Sequence, residues 1–507
     1  MTLRTVTRRG FLRSIGLGAA ALTCRLPAAT AAVDKPGARG NRPNIIYMMA
    51  DQLGYSRCGY AGEKRARTPN IDKLAASGAD FFNAVSNMPV CCAYRASLFT
   101  GKYTSSTGMV INELRLNPNH ECLGHVLTRS GYQTGYIGKW HLYANQLGRH
   151  TNPANSYTPP GRHRLGFDGY WAAYGFHHRY YNTYYHTDSP EKIPYPEGSY
   201  EPDAQTDMAI DYINKATKSD KPFALVLSVG TPHDPWSQNN VPKKYYEMFK
   251  DVKFPPAKNY SDKMDPHGDG WSNCRKSPRL IEEWMRVYYA MTANLDDNVG
   301  RLLAALDKAG VADNTIFVFT SDHGEMFGAQ GRMKKNIFYE EAARVPFLVR
   351  WPGKIKPGTK CDAPLGTVDI MPTLLGLAGL KVPAKAEGMD ISKRAMGAEG
   401  PEPPAAFLQN TGACAVWADG HEWRALRDKR FTYAIFRKDK QELLFDNTND
   451  PFQMKNLIDE PDHKETADRF RGMLATKMKS LNDTFPKSTW YRDNWIKNRI
   501  ILRGANG

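Results

Sequence analysis

Five runs along the chain are apolar almost without interruption, and four of them end in polar residues that a buried segment does not ordinarily carry. NIIYMMA (44–50) leads into Asp51 and Gln52, and GYIGKWH (135–141) carries Lys139 and His141. FALVLSVGTP (223–232) leads into His233 and Asp234, and TIFVFTS (315–321) into Asp322 and His323. The fifth, VPFLVRWPG (345–353), closes on the turn signal Pro352-Gly353. Continuous apolar runs separated by helical segments are the pattern of parallel strands covered on both faces. The segments between them include IDKLAAS, CLGHVLTRSG, VDIMPTLLGLAGL and the long RLIEEWMRVYYAMTANLDDNVGRLLAALDKAG. The pattern predicts an α/β fold, a mixed but mostly parallel sheet sandwiched between helices. Ligands of open α/β sheets bind outside the carboxyl ends of the strands. Four strands deliver titratable groups to that edge, so the edge is where chemistry is expected.

The pattern then changes. Residues 382–406 are rich in Pro, Ala, Gly and Lys and read as a connector. Beyond them EWRALRDKRFTYAIFRKDKQELLFDN alternates like a small antiparallel sheet, and residues 463–481 form an amphipathic helix. The expected organisation is a catalytic α/β domain at 42–381, a smaller C-terminal α+β subdomain at 382–490 and a tail at 491–507.

The first 32 residues stand apart. Arg8-Arg9, then Phe11-Leu12, an apolar run over 15–22 and an Ala-x-Ala pattern in AATAA (28–32) resemble a twin-arginine export signal. No later apolar stretch is long enough to span a bilayer. The expectation is a protein exported to the periplasm or the medium, with no transmembrane anchor.

Of the 507 residues, 68 are Lys or Arg and 52 Asp or Glu, for a net charge of +16. The basic residues are dispersed, without zinc-finger spacing or an RNP-type signature, which disfavours nucleic acid and favours an anionic substrate. Beyond the signal lie Cys58, Cys91, Cys92, Cys122, Cys274, Cys361 and Cys414. Export permits disulfides, but an odd number leaves one thiol over, and Cys91 or Cys92 is the natural one.

Those two open the segment CCAYRASLFTGKY, and here the chain resembles a known family. Cys91 to Arg95 fit the pattern Cys-x-Pro/Ala-x-Arg of the type I sulfatases, with Ala93 at the position usually held by proline. ADQLGYS, TPNIDKLAASG, GYIGKWHL, TPHDP, SDHGEMFGAQGRMKKNIFYEEAARVPFLVRWPG and LLFDNTNDPFQMKNL follow the same family in order. The resemblance implies that a maturation enzyme oxidises Cys91 to formylglycine (3-oxoalanine), whose hydrate is the nucleophile. It implies a divalent metal, calcium first and manganese or magnesium as alternatives, on Asp51, Gln52, Asp322, His323 and the oxygen of the converted Cys91. Lys139 and Lys335 would neutralise sulfate oxygens, and Arg95 would hold the hydrate. His233 would protonate the leaving alkoxide, and His141 would take the proton whose loss expels sulfate.

Each residue type also has a plainer use. Aspartate after a strand caps helices, lysine is usually a solvated charge, and Lys334 adjoins Lys335. HHRYYNTYYH (177–186) suits either a sugar platform or a packed loop. Gln52 and His323 stand where the family more often has aspartate and asparagine, a variation that resembles choline sulfatases, phosphonate or phosphodiester hydrolases and some polysaccharide sulfatases. The expected activity is hydrolysis of sulfate esters on a sulfated carbohydrate. The alternatives are a phosphonate monoester or phosphodiester hydrolase with the same machinery, and a non-catalytic glycan-binding relative whose site would lack a nucleophile or a metal ligand.

Overall fold

Strand β1 (Asn44–Asp51) is buried along all eight residues, because its two faces serve two different cores. Ile45, Tyr47 and Met49 point into one, Ile46, Met48 and Ala50 into the other, as the two-residue period of a strand requires. In the computed structural model, which describes residues 42–144, 155–273 and 276–501, this strand lies inside an eight-stranded sheet. The export-signal segment, Cys24 and Cys274 lie outside the described residues.

The chain continues through β2 (Ala79–Phe81), β3 (Gln133–Lys139) and β4 (Tyr170–Tyr174). A short ribbon of β5 (Tyr184–Tyr185) with β6 (Ile193–Pro194) precedes β7 (Phe223–Pro232), β8 (Thr315–Ser321), β9 (Phe347–Arg350) and β10 (Thr359–Cys361). The large sheet runs β10-β2-β9-β8-β1-β7-β3-β4. Its pairings are parallel except where β9 meets β8 and β2, so the sheet is mixed and mostly parallel, as the sequence pattern predicts. One face is covered by the helices Cys91–Thr100, Leu123–Arg129 and Thr367–Leu377, which contribute Tyr94, Leu98, Phe99, Val126, Leu127 and Leu374. The other is covered by Pro69–Ser77, Glu201–Ala216 and the 31-residue helix Pro278–Lys308. Each fully buried large apolar side chain stabilises this sandwich by about 1.5–3 kcal/mol.

A second, antiparallel sheet follows: β11 (Ala406–Asn410), β12 (Trp423–Arg427), β13 (Phe431–Phe436) and β14 (Glu442–Asp446), paired in chain order. The connector therefore runs straight into a strand at Ala406, one strand more than the alternating pattern foretold. Phe407, Leu426, Tyr433 and Leu444 pack on Phe470 and Leu474 of the helix Lys464–Ser480. The opposite face meets Ile337, Phe338 and Ala342, just beyond Lys335, so this sheet braces the segment that carries a candidate site residue.

Cys58, Cys91, Cys92, Cys122, Cys361 and Cys414 are all free and buried, so no disulfide forms among the described cysteines. No helix among the described residues is long and apolar enough to cross a membrane.

Candidate active site

The parallel strands β1, β3, β7 and β8 end at one edge, and their ends hold Asp51, Lys139, His233 and Asp322. Close strand packing makes this possible. Gly138, at φ 99°, lets β3 approach β7 so tightly that a Cβ there would lie 2.1 Å from the carbonyl oxygen of Ser228. The backbone is also held in the left-handed region at Gln52, His141, Lys334 and Asn336 (φ 74°, 58°, 66° and 70°). Such conformations cost about 1–3 kcal/mol each and cluster where function demands a particular side-chain direction. Cys91 joins them as the first residue of the helix Cys91–Thr100, at the positive end of its dipole.

All ten residues singled out from the sequence converge here, and all are buried. Ligand atoms of Asp51, Cys91, Asp322 and His323 lie within 4.8 Å of one another. Cys91 Sγ is 3.2 Å from His323 Nε2, 3.8 Å from Asp51 Oδ1 and 3.3 Å from Lys335 Nζ. Two carboxylates, an imidazole and the Cys91 position form a donor set that fits a divalent cation, oxygen donors suiting a hard ion and nitrogen a somewhat softer one. Gln52 is part of the same wall. Its main-chain N–H donates to Asp322 at 3.0 Å, its side-chain Nε2 to Glu325 at 2.6 Å, and its Oε1 accepts from Lys335 at 2.9 Å.

Arg95 ties the cluster to the sheet. Its guanidinium donates to the Lys139 carbonyl and to Ser228 Oγ at 2.6 Å each, and sits 3.4 Å from both Asp51 and Asp322. Lys139 Nζ reaches Asp51 at 2.5 Å. The two carboxylates thus face three cations, Arg95, Lys139 and Lys335, in an enclosed site. Burial alone would raise the Asp51 carboxyl, but Lys139, with His233, Lys335 and His323, holds it well below the usual carboxylate range. Burial, then Asp51, pushes the Cys91 thiol up against the pull of both lysines. Burial is the main cause holding His141, His233 and His323 down, His323 to about 4.

Lys334 and Lys335 part company. Lys335 Nζ lies 3.0 Å from His233 Nε2 and points at Cys91, whereas Lys334 pairs with Asp234 at 2.7 Å. Asp234 in turn accepts from His233 Nδ1 through its main-chain oxygen at 2.9 Å.

The sulfatase family model matches residues 43–380, and the model for the C-terminal part of N-sulphoglucosamine sulphohydrolase matches 328–480. The chain belongs to the sulfatase family. It is 37% identical over 472 residues to an ulvan-active sulfatase of Formosa agariphila, covering 92% of this chain and 86% of that one. An endo-4-O-sulfatase of Bacteroides thetaiotaomicron is 30% identical over 516 residues, covering 91% and 96%. Among solved structures, a sulfatase of Bacteroides fragilis superposes with a TM-score of 0.77 at 31% identity, covering 90% of this chain and 99% of the other. The enzyme is a sulfuric ester hydrolase with the alkaline phosphatase-like fold.

Other residues of the sulfatase site escaped the sequence reading. Glu113 Oε1 lies 3.3 Å from His141 Nε2, yet nothing in VINELR marks it. Glu325, inside the quoted SDHGE, orients Gln52, and Ser228 anchors Arg95 from the middle of an apolar strand. Between the two alternatives for residues 177–186, several rings are taken up by packing. Tyr180 donates to the carbonyls of Gly230 and His233 at 2.6 and 2.8 Å, His177 pairs with Glu201, and His178 stacks on His233 at 4.6 Å. The neighbouring Phe176 stacks on His141 at 4.5 Å.

Proposed function

We propose that this sulfatase is exported and hydrolyses sulfate monoesters on a sulfated polysaccharide or its oligosaccharides, with Cys91 converted to formylglycine. The observation that carries the reading is the convergence of Cys91, the donors Asp51, Asp322 and His323, and the cations Lys139 and Lys335 around one buried point. The relatives named for ulvan and for endo-4-O-sulfatase activity support a carbohydrate ester. The signal at 1–32 supports export, ahead of a catalytic domain at 42–381 and a subdomain at 382–490.

In this reading Asp51, Gln52, Asp322, His323 and the oxygen at the converted Cys91 hold a divalent ion, calcium first, with manganese or magnesium as alternatives. When bound, the ion supplies Lewis acidity toward the sulfuryl oxygens and lowers the pKa of a coordinated hydroxyl. Conversion of Cys91 supplies a nucleophilic oxygen together with a second hydroxyl on the same carbon. Cys91 is 1% exposed, so the maturation enzyme must reach it before the chain folds.

The remaining work falls to side chains. Lys139 and Lys335 bind the sulfate oxygens, and an opposite-charge pair at about 4 Å is worth roughly 4 kcal/mol at intermediate dielectric. Arg95 fixes the main chain of Lys139 and both carboxylates, so these charges cannot drift. His233 donates its Nδ1–H to the main-chain oxygen of Asp234 and faces Lys335 Nζ through Nε2 at 3.0 Å, so the proton it delivers to the leaving oxygen is relayed through Nε2 from that ammonium group. His141, backed by Glu113, takes the proton from the second hydroxyl at Cys91, which releases sulfate and restores the aldehyde.

The test is product analysis on protein from a host that installs formylglycine. Sulfate should be released from sulfated glycans, and Cys91→Ala should abolish release. Faster hydrolysis of phosphonate or phosphate esters than of any sulfate ester would support the phosphonate and phosphodiester reading to which Gln52 and His323 lend themselves. The non-catalytic reading has no support, since neither the nucleophile precursor nor a metal donor is lost.

A further inference from the structure

We propose that Trp271 is a platform on which the sulfate-bearing sugar ring stacks, a substrate-binding position beside the sulfate pocket. The proposal rests on the carbohydrate reading above and extends it to a residue outside the motifs that carry the family resemblance.

Trp271 is 43% exposed, the one tryptophan among the large apolar side chains that stand out from the described surface. It is not stranded on a remote face. Lys334 Nζ and Lys335 Nζ each lie 5.8 Å from its ring centroid, and Lys335 Nζ is 3.3 Å from Cys91 Sγ. A sugar whose ester sulfate lay against Lys335 would have its ring within reach of the indole, 5.8 Å from that ammonium group. The loop is built to hold that position. Asp269 Oδ1 accepts the main-chain N–H groups of Trp271 and Ser272 at 3.1 and 2.6 Å, and the Ser272 carbonyl accepts from the Met333 N–H at 2.7 Å. The indole is thereby tied to the strip that carries both lysines.

Other rings at this edge are already engaged. Phe176 stacks on His141 and His178 on His233, and Trp236 is buried with its Nε1 donating to the Pro232 carbonyl at 2.8 Å. An exposed aromatic face gives up little on meeting the apolar face of a pyranose, while the adjoining ammonium groups take its anionic substituent.

The experiment compares kcat/KM of wild type, Trp271→Ala and Trp271→Phe on two substrates. One is whichever ulvan, carrageenan or chondroitin sulfate oligosaccharide the wild type cleaves fastest, and the other is ethyl sulfate, which has no ring. Trp271→Ala should lower the saccharide-to-ethyl ratio about tenfold, chiefly through KM, and Trp271→Phe should recover much of it. An unchanged ratio, with both substrates falling together or neither falling, would mean that Trp271 only packs the lysines, and would overturn the proposal. Calorimetric binding of the same three oligosaccharides to Cys91→Ala protein reads the platform without turnover. Binding about tenfold weaker when Trp271→Ala is added supports it, even if the wild type releases no sulfate from any of these saccharides. Equal binding with and without the indole, or no binding to either protein, overturns it.

Discussion

Glu113 Oε1 lies 3.3 Å from His141 Nε2, and both side chains are closed off from solvent. Burial pushes the Glu113 carboxyl up to about 7, against the pull of Lys139. An acid whose folded pKa exceeds its unfolded value of about 4.3 binds its proton more tightly when folded. Its contribution to stability is therefore present at low pH, declines between roughly pH 4.5 and 7, and stays lost above that. Glu113→Gln removes the decline. Denaturant unfolding should find variant and wild type alike near pH 4.5, with the variant more stable by up to about 3 kcal/mol at pH 8. The same variant should turn over roughly tenfold more slowly, because a neutral amide orients and polarises His141 less. Parallel stability curves across that pH range would contradict this account of Glu113.

The separation of Lys335 from Lys334 makes a second prediction. Lys335→Met removes a cation aimed at Cys91 and His233, and should lower kcat/KM by about 10²–10³ with the melting transition retained. Lys334→Met loosens Asp234 behind His233 and removes the outer of the two ammonium groups beside Trp271, and should cost no more than about tenfold, since its pair with Asp234 is partly solvated. Steady-state rates of the two variants decide it, and equal losses would contradict the assignment.

The donor cluster makes a third. Matured protein should carry about one divalent ion per chain by elemental analysis, and Asp322→Asn should carry almost none. Chelation should abolish sulfate release and lower the melting temperature, because a ligand present at a hundred times its Kd stabilises the fold by about 2.7 kcal/mol. Full activity after the metal content has fallen to zero would rule out a metal role for Asp51, Asp322 and His323.

Much of this site was legible because β1, β7 and β8 are buried on both faces, so an apolar run ending abruptly in Asp51, His233 or Asp322 has few structural explanations. The helix Glu201–Ala216 was not legible, because its buried face includes Glu201, Gln205 and Thr206. Glu201 is satisfied by Tyr174 and His177, and Gln205 Nε2 donates to Tyr195, partners that the helical pattern of the segment does not reveal. Strand β11 went unread because it is short, AFLQN between the Pro- and Ala-rich connector and Thr411, and shows no clear alternation of its own. Glu113 sits in a loop brought beside His141 by tertiary packing alone. The exposed indole of Trp271 likewise gains meaning only from the lysines next to it. Export permits disulfides, yet the described cysteines are all free and buried, and Cys92 and Cys414 stay thiols although both lie against Asn112.

Every role assigned above depends on the chemical state of Cys91, which mass spectrometry of the tryptic peptide 74–95 reads. The protein should come from a host that matures sulfatases. An aldehyde should stand in place of the thiol, localised by fragmentation to Cys91 and absent from Cys92. An unmodified thiol at Cys91 in protein that nonetheless releases sulfate at full rate would contradict those roles.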